Sequence, residues 1–294
     1  MLTLFSVPRA FEGLADVIQR NAIQSWQRSN PGCEIVLCAN DAGVDEIADE
    51  FGTRHLPDIE STDRGTPYLD AAMRAVLEHT DNEYVCFINA DIILVDNLLD
   101  SIRKIDFPNF LLIGPRTNVD IRDRLDFGGE SWRDQVQAAV MKSGKLDNHW
   151  GMDFFVFHRD CGVTQMPRLI VGRNFFDNWM VWRAWELGIP IIDVSESFRA
   201  VHQNHDYAHV QGGEHVKPGF DPESKLNAAV VGGRLGNCND AGFQLGVQGL
   251  RRTRSVRHYR RRVVRQLMRW SPGLVAGMVR AKHLIWPPEG QDIT

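Results

Sequence analysis

Residues 84–91 read YVCFINAD, an apolar run of five residues followed at once by the polar triplet Asn89-Ala90-Asp91. A short apolar run of this kind is typical of a strand buried on both faces of a sheet. Further apolar runs of strand length occur at residues 2–7, 33–38, 154–157, 189–194 and 198–201. The spacing of apolar residues predicts helices at residues 10–26, 44–51, 67–79 and 177–187. Because strands and helices alternate, we expect an α/β fold with a mainly parallel, Rossmann-like sheet flanked by helices.

The length and charge of the chain predict its domain organisation. The 294 residues suffice for one large α/β domain with a small appendage, and 43% hydrophobic and 24% charged residues are ordinary for a globular protein. Residues 251–294 carry eleven Lys or Arg and two acids, so this segment is +9 and residues 1–250 are -14. We predict a domain over residues 1–245 and a basic amphipathic helical tail over residues 246–294. The polar, poorly periodic residues 116–150 predict a loop with one helix near residues 133–143.

The cysteines and the apolar runs bear on the cellular compartment. Five scattered cysteines without a C-x-x-C pair argue against a disulfide framework or a cysteine zinc site, and favour a reducing compartment. The first residues lack the basic and long apolar regions of a signal peptide, and no apolar run reaches the roughly 18 residues of a spanning helix. We therefore expect a cytoplasmic location.

Polar residues follow the ends of three predicted strands. These are Pro8-Arg9, Asn40-Asp41 and Asn89-Ala90-Asp91. In open parallel sheets ligands bind beyond the carboxyl ends of the strands, so we expect these residues to gather around one ligand. Asp91 offers the carboxylate oxygen that Mg²⁺ and Mn²⁺ accept as a ligand. The same triplet is also ordinary turn chemistry, and alone it is consistent with both interpretations.

Residues 171–194 read VGRNFFDNWMVWRAWELGIPIIDV. This stretch resembles the catalytic-helix region of glycosyltransferase family 2 and its GT-A relatives, where an acidic pair opens a helix that also carries an Arg, and a Gly precedes the next strand. Asp177 matches the second acid, Arg183 the Arg and Gly188 the Gly, whereas Phe176 stands in place of the first acid. Asp177 also has a purely structural interpretation, because an acid is favourable in the first turn of a helix.

The resemblance implies the activity and its participants. It implies transfer of a hexosyl or pentosyl group from a UDP- or GDP-sugar to a hydroxyl of a glycan or lipid-linked acceptor. It also implies Mn²⁺ or Mg²⁺ as cofactor, and inversion with Asp177 as the general base. The implied nucleotide-binding residues are Pro8, Arg9, Asp41, Thr66, Asn89, Ala90 and Asp91. The implied substrate-binding residues are Trp150, Asp153, Asn178 and His205.

Residues 201–211 read VHQNHDYAHVQ and contain three histidines, His202, His205 and His209. Neutral imidazole is a good ligand for Mn²⁺-type metals. In many GT-A enzymes a His from a late strand or loop completes the metal shell, and His202 is the best match. We therefore predict Asp91 and His202 as the metal ligands. A three-histidine zinc site and hydrogen bonding of the histidines to loop backbone are the alternatives.

The basic tail and the whole chain each have further interpretations. Residues 251–269 carry nine Arg and no acid, with apolar residues interleaved, which is typical of a basic amphipathic helix at a membrane surface. The alternatives are docking onto the acidic body of the chain and nucleic-acid binding, of which nucleic acid is the less expected partner.

For the whole chain the alternatives are a nucleotidyltransferase, which would normally carry a Gly-rich basic loop after the first strand, and a non-catalytic glycan- or nucleic-acid-binding protein on a GT-A-like fold.

Overall fold

The computed structural model describes residues 1–205 and 221–270, apart from the side chains of residues 268–270. The strands are β1 (Leu2–Ser6), β2 (Glu34–Cys38), β3 (Arg54–Leu56), β4 (Tyr84–Ile88), β5 (Ile92–Leu94), β6 (Leu111–Ile113), β7 (Arg116–Val119), β8 (Lys145–Leu146), β9 (Phe154–His158), β10 (Ile191–Asp193), β11 (Ala200–Gln203), β12 (Phe243–Gly246) and β13 (Gly249–Arg252). The helices are α1 (Gly13–Ser29), α2 (Val44–Phe51), α3 (Leu69–His79), α4 (Leu98–Ile102), α5 (Ser131–Ser143), α6 (Phe176–Glu186), α7 (Pro222–Val231) and α8 (Val256–Trp270).

The main sheet has nine strands in the order β13-β12-β10-β6-β9-β4-β1-β2-β3. β1 is parallel to β2 and β4, β2 is parallel to β3, and β10 is parallel to β6 and β12. β9 is antiparallel to both of its neighbours, β4 and β6, and β13 returns antiparallel beside β12. The expected α/β fold with a mainly parallel sheet is therefore confirmed.

The reversed direction of β9 matters for the site. Ile88, the last residue of β4, lies opposite Phe154, the first residue of β9. The polar residues that follow β4 and precede β9 are therefore neighbours, and the Asn89 backbone N–H donates to the Asp153 carbonyl at 2.9 Å.

A second sheet, in the order β5-β11-β7-β8, stands next to this edge. β5 begins directly after Asp91 and pairs antiparallel with β11, so that Ile92 lies opposite His202. β11 is in turn parallel to β7, with Ala200 opposite Arg116. This small sheet connects the end of β4 to residues that are far away in sequence.

The two faces of the main sheet are packed separately. In β4, Val85 and Phe87 point into one apolar cluster and Cys86 and Ile88 into the other, as the alternation of side chains along a strand requires. Helices cover both clusters, and Trp26 of α1 is fully buried with its indole N–H donating to the Ile92 carbonyl at 2.7 Å. The packing thereby fixes the turn that carries Asp91.

The structure differs from the sequence prediction in the polar middle of the chain. The predicted helix near residues 133–143 is present as α5, but residues 116–119, expected in a loop, form β7. Its side chains alternate between partly exposed and buried over only four residues, which is too short for a periodic signal. The short strand β5 and the β12–β13 hairpin were also not predicted.

The chain divides into two units at Arg252 and Thr253, of which residues 1–205 and 221–252 of the first and 253–270 of the second are described. The β12–β13 hairpin belongs to the first unit and extends the sheet to Arg252, beyond the boundary predicted at residue 245. Within the second unit α8 is described. None of the helices in the described ranges has the length and apolar character that a membrane span requires.

Candidate functional site

A cleft of about 630 Å³ opens at the carboxyl edge of the main sheet. The ends of β1, β2 and β4 contribute to its wall, together with the start of α6 and the residues that follow β11. Its lining includes most of the residues predicted from the sequence: Pro8, Arg9, Asp41, Thr66, Asn89, Ala90, Asp91, Trp150, Asp153, Asp177, Asn178, His202 and His205. The strand-end residues thus meet around one cavity, as the parallel sheet predicts.

Asp91, His202 and His205 form a compact group in this cleft. The Asp91 Oδ2 atom lies 3.1 Å from His205 Nε2 and 3.4 Å from His202 Nε2. One donor atom from each residue lies within 4.8 Å of the others, and no other such group of three occurs among the described residues. His205, predicted as a substrate-binding residue, has its ring beside Asp91. His209 lies outside the described residues.

The donor chemistry of this group fits a divalent cation. Asp91 Oδ1 and His202 Nδ1 are both buried and have no hydrogen-bond partner in the protein. Burial favours the neutral form of Asp91, but His202 and His205 outweigh it and hold the pKa of this carboxyl well below its usual range. One carboxylate and two imidazoles suit Mn²⁺ or Zn²⁺ better than Mg²⁺, which prefers oxygen ligands.

Gln203 holds this group in place from behind. It is fully buried, and both its backbone N–H and its Nε2 donate to the Asp91 carbonyl, at 3.2 and 3.1 Å. Nε2 also donates to the Ile18 carbonyl at 2.9 Å, and Oε1 accepts from Asn21 Nδ2 at 3.0 Å. Gln203 therefore ties the turn of Asp91 to the strand of His202 and to α1.

A second polar network joins Asp153 to β7. Asp153 is buried, and its two carboxylate oxygens accept from Asn89 Nδ2 at 2.7 Å and from Arg116 Nη1 at 2.9 Å. The Nε of Arg116 donates to Asp147 at 2.9 Å. Burial alone would lower the pKa of Arg116, but the charges of Asp153, Asp91 and Asp147 raise it above its usual value. Both oxygens of Asp153 are thus engaged inside the protein.

Asp177 has a different environment from Asp153. It lies in the first turn of α6 and is half-buried in the cleft. Burial raises the pKa of its carboxyl to about 7, the nearby charge of Asp153 adds to this, and the backbone N–H of Asn178 opposes it. Phe175, two residues earlier, has φ 85°, a left-handed conformation that a non-glycine residue rarely adopts. Such strain is concentrated at functional sites.

Three of the predicted nucleotide-binding residues, Pro8, Arg9 and Asp41, line the cleft where β1 and β2 end. Gln19 fixes the loop after β1, because its side chain exchanges two hydrogen bonds of 2.9 Å with the backbone of Arg9. Burial raises the pKa of the half-buried Asp41, while a hydrogen bond from the Ala10 backbone opposes this. Ala39, just before this turn, is the other non-glycine residue with positive φ among the described ones, at 73°.

Thr66, Asn178 and Trp150, which were predicted to bind nucleotide or substrate, differ in whether their side chains are held by the protein or exposed in the cleft. The Thr66 hydroxyl donates to Glu223 at 3.0 Å. The Asn178 Nδ2 donates to the Gly236 carbonyl at 3.0 Å, and the Gly236 N–H returns a bond of 2.7 Å to the Asn178 carbonyl. These side chains support the cleft from within. The Trp150 side chain, by contrast, is 40% exposed and lines the cleft.

No protein-family model matches the chain, and no curated protein sequence matches it.

Solved structures with a similar fold do exist. S. aureus TarS in complex with UDP-GlcNAc is 14% identical with a TM-score of 0.49, over 79% of this chain and 66% of that one. Glucosyl-3-phosphoglycerate synthase from Mycobacterium tuberculosis, with Mn²⁺, UDP and phosphoglyceric acid, is 13% identical with a TM-score of 0.45, over 83% and 81%. GalNAc-T7 with UDP, GalNAc and Mn²⁺ is 13% identical with a TM-score of 0.44, over 79% and 48%.

The predicted α/β architecture is present in the chain itself, and these structures, all with TM-scores below 0.5, add no assignment of family or activity. The chain spans between 36 and 66% of the TarS chains that it matches. The likeness is remote and concerns the fold alone.

Proposed function

We propose that the protein is a metal-dependent glycosyltransferase that moves a sugar from a nucleoside diphosphate to an acceptor hydroxyl with inversion. The observation that carries the proposal is that one cleft contains a carboxylate–imidazole group of metal-ligand character and, apart from it, a carboxyl whose pKa is close to neutral. Sugar transfer from a nucleotide needs one group of each kind, because the diphosphate leaves with negative charge and the acceptor loses a proton.

Asp91, His202 and His205 are proposed to hold the cation. A bound Mn²⁺ or Mg²⁺ would stabilise the charge that develops on the departing diphosphate. Asp91 is suited to this role because it is ionised at every physiological pH. Two imidazoles in the group support Mn²⁺ over Mg²⁺.

Asp177 is proposed as the general base. A carboxyl whose pKa is about 7 is substantially ionised at neutral pH and is basic enough to take a proton from a hydroxyl in the transition state. Asp153 is less suited, because both of its oxygens already accept hydrogen bonds from Asn89 and Arg116. Because both oxygens of Asp153 are engaged, we propose Asp177 as a base in a direct displacement, and hence inversion, rather than a carboxylate nucleophile.

The residues at the ends of β1 and β2 are proposed to bind the nucleotide. Asp41 can accept a hydrogen bond from the base, and the backbone around Pro8 and Arg9 is already rigid through Gln19. Asn89 and Ala90 would then lie beside the diphosphate. Both UDP and GDP fit this description.

The acceptor is proposed to bind near Trp150. Its exposed ring offers an apolar face to a sugar, either of a glycan or of a lipid-linked acceptor. We also propose a cytoplasmic location, because the five cysteines in the described residues are free and the cytoplasm is reducing.

The proposal is tested with the metal and donor first, without an acceptor. A screen of sugar nucleotides by thermal unfolding should find one that stabilises the protein only when Mn²⁺ is present, since a ligand that binds the folded state raises its stability. Asp91→Ala should abolish this stabilisation. Asp45→Ala, which changes an exposed acid of α2 away from the cleft, is the matched control and should retain it.

Turnover separates this function from its alternatives. The chosen donor should be hydrolysed slowly, or its sugar transferred, with release of the nucleoside diphosphate. Release of pyrophosphate from a nucleoside triphosphate incubated with a sugar 1-phosphate would instead identify a nucleotidyltransferase. Binding without any turnover would leave a sugar-nucleotide-binding protein.

A further inference from the structure

Helix α8 has large apolar side chains that are exposed. Val256, Tyr259, Val263 and Leu267 are 82, 52, 58 and 37% exposed. At about 3.6 residues per turn these four side chains lie within an arc of about 80° on the helix surface. We call this set the α8 stripe.

The opposite face of α8 is polar but buried. His258 and Arg265 are 9% and 7% exposed, and both lie roughly across the helix from the α8 stripe. A helix of a water-soluble domain normally turns its apolar stripe inward and its charged residues outward. In α8 the apolar side chains of the stripe are exposed, so this helix presents an apolar surface for a partner.

Charge defines the kind of partner. Between Arg251 and Leu267 the chain has eight Arg and no acid. Arg260 and Arg262 are exposed and lie on either side of the α8 stripe. An apolar stripe edged by guanidinium groups is complementary to a surface with acyl chains below and negative charges above.

We propose that the α8 stripe and its flanking arginines bind the surface of a bilayer that contains anionic phospholipid. Helix α8 lies in the interface, with the valines and Leu267 toward the acyl chains and the arginines among the headgroups. Nucleic acid fits this surface less well, because contacts to phosphates require the arginines but leave the aliphatic stripe in water. The inference is independent of the transferase proposal, since lipid binding is measured without donor or acceptor.

Co-sedimentation of the full chain with vesicles tests this directly. The protein should sediment with vesicles of phosphatidylcholine and phosphatidylglycerol, and not with vesicles of phosphatidylcholine alone. The double variant Arg260→Gln/Arg262→Gln should bind about 25-fold more weakly, since each arginine contributes about fivefold at low salt. The binding of the wild-type chain should weaken as salt is added.

Substitutions in the α8 stripe test the apolar contribution separately. Val263→Asp should weaken binding by at least about tenfold, and Val263→Ser should also weaken it without adding a charge. Val230→Asp is the matched control, because it places the same charge at an exposed valine of α7. It should bind as the wild type does. Far-ultraviolet circular dichroism of each variant shows whether the helices are intact.

Three results would overturn the proposal. The first is that anionic vesicles fail to bind the wild-type chain, or bind Val263→Asp and Val263→Ser as tightly as the wild type. The second is that a DNA or RNA oligonucleotide binds more tightly than the vesicles at the same ionic strength and is insensitive to Val263→Ser, which would identify a nucleic-acid surface. An effect of Val230→Asp equal to that of Val263→Asp would show that surface charge in general, not the α8 stripe, decides binding.

Discussion

Asp91 and Asp177 are two carboxylates in one cleft whose surroundings act on them in opposite directions. Asp91 lies beside two imidazoles, which hold its pKa well below the usual range despite burial. For Asp177 burial raises the pKa to about 7, and the nearby charge of Asp153 adds to this more than the charge of Arg116 opposes it. Carboxylates whose pKa values are driven apart in this way serve different purposes, one as a permanent anion and the other as a group that exchanges protons.

The two regions also differ in how they are built. The region of Asp91 rests on strand pairing and on the buried side chain of Gln203, which bonds to three backbone or side-chain partners. The region of Asp177 rests on a helix start after the strained residue Phe175, with Asn178 bound to Gly236. A cation needs ligands that are fixed in advance, whereas a base needs a carboxyl that gains and loses a proton without rearrangement.

The largest effect is expected from removing the proposed base. Asp177→Asn should lower kcat by about 10³-fold, because general base catalysis is worth about 10²–10⁴-fold. The Kd for the sugar nucleotide should stay near the wild-type value, since the substitution leaves Asp91, His202 and His205 in place. Isothermal titration and steady-state turnover measure the two quantities. Turnover near the normal rate would exclude Asp177 as the base.

A smaller effect is expected from Gln203, which does not itself offer a ligand. Gln203→Leu leaves the Ile18 and Asp91 carbonyls without a side-chain donor and should weaken Mn²⁺ binding by about 10–100-fold. It should also cost about 1–3 kcal/mol of the free energy of unfolding, because buried polar groups lose their partner. Electron paramagnetic resonance of free Mn²⁺ and urea unfolding are suitable measurements.

The control for Gln203 is Gln137→Leu. Gln137 is exposed on α5, where its side chain accepts a hydrogen bond from Arg199, so this variant should leave both Mn²⁺ affinity and stability nearly unchanged. If Gln203→Leu unfolds more easily but binds Mn²⁺ as tightly as the wild type, the residue supports only the fold.

In both regions the position of the carboxylate could be predicted from the sequence, whereas the residues that support it could not. Asp91 and Asp177 could be predicted because each lies next to a regular element with a clear periodic signal: a buried strand and an amphipathic helix. The helix also carries Arg183 and Gly188 in a recognisable order. These local patterns were enough to predict the fold type and a cleft at the carboxyl edge of the sheet.

The supporting residues could not be predicted in this way. Arg116 and Asp147 come from a polar stretch without periodicity, and only the pairing of β7 with β11 brings Arg116 to the cleft. Gln203 lies between two histidines in a segment where nothing distinguishes a buried glutamine from an exposed one. His205 shared its loop with other polar residues, and its approach to Asp91 follows from the turn after β11 rather than from any motif. Tertiary contacts, not local sequence, decide these roles.

The pH dependence of turnover follows from the raised pKa of Asp177. The ionised form is the active one, so kcat/KM should rise with pH, about tenfold per unit below pH 7, and level off above it. An ordinary aspartate would give a level profile down to about pH 4. Rates measured with Mn²⁺ at saturation at each pH distinguish the two. A profile that is level between about pH 5 and pH 7 would contradict the role of Asp177 as a base with a raised pKa.

The smallest effect is on stability, and here the two carboxylates should behave in opposite ways. The folded-state pKa of Asp177 is raised from 3.8 to about 7, so the folded protein binds this proton more tightly than the unfolded chain. The stability contributed by protonated Asp177 is therefore present below about pH 4 and is lost as the pH rises to about 7. In Asp177→Asn the side chain is neutral at every pH, so this variant does not lose stability through ionisation at position 177. In metal-free protein its melting temperature should exceed that of the wild type increasingly from about pH 4 to pH 7, by a few degrees at most, and the difference should then stay constant.

Asp91→Asn provides the matching experiment with the opposite sign. The folded-state pKa of Asp91 is lowered, so its ionised form contributes stability that is present above the unfolded pKa of about 4 and is lost as the pH falls through the lower, folded-state value. The variant should therefore melt below the wild type at neutral pH and approach it in acid. Both melting series are recorded with a chelator present, so that only proton binding differs between the curves. If the two variants shift in the same direction with pH, the two carboxylates do not have opposite environments, and the division between a permanent anion and a proton acceptor is wrong.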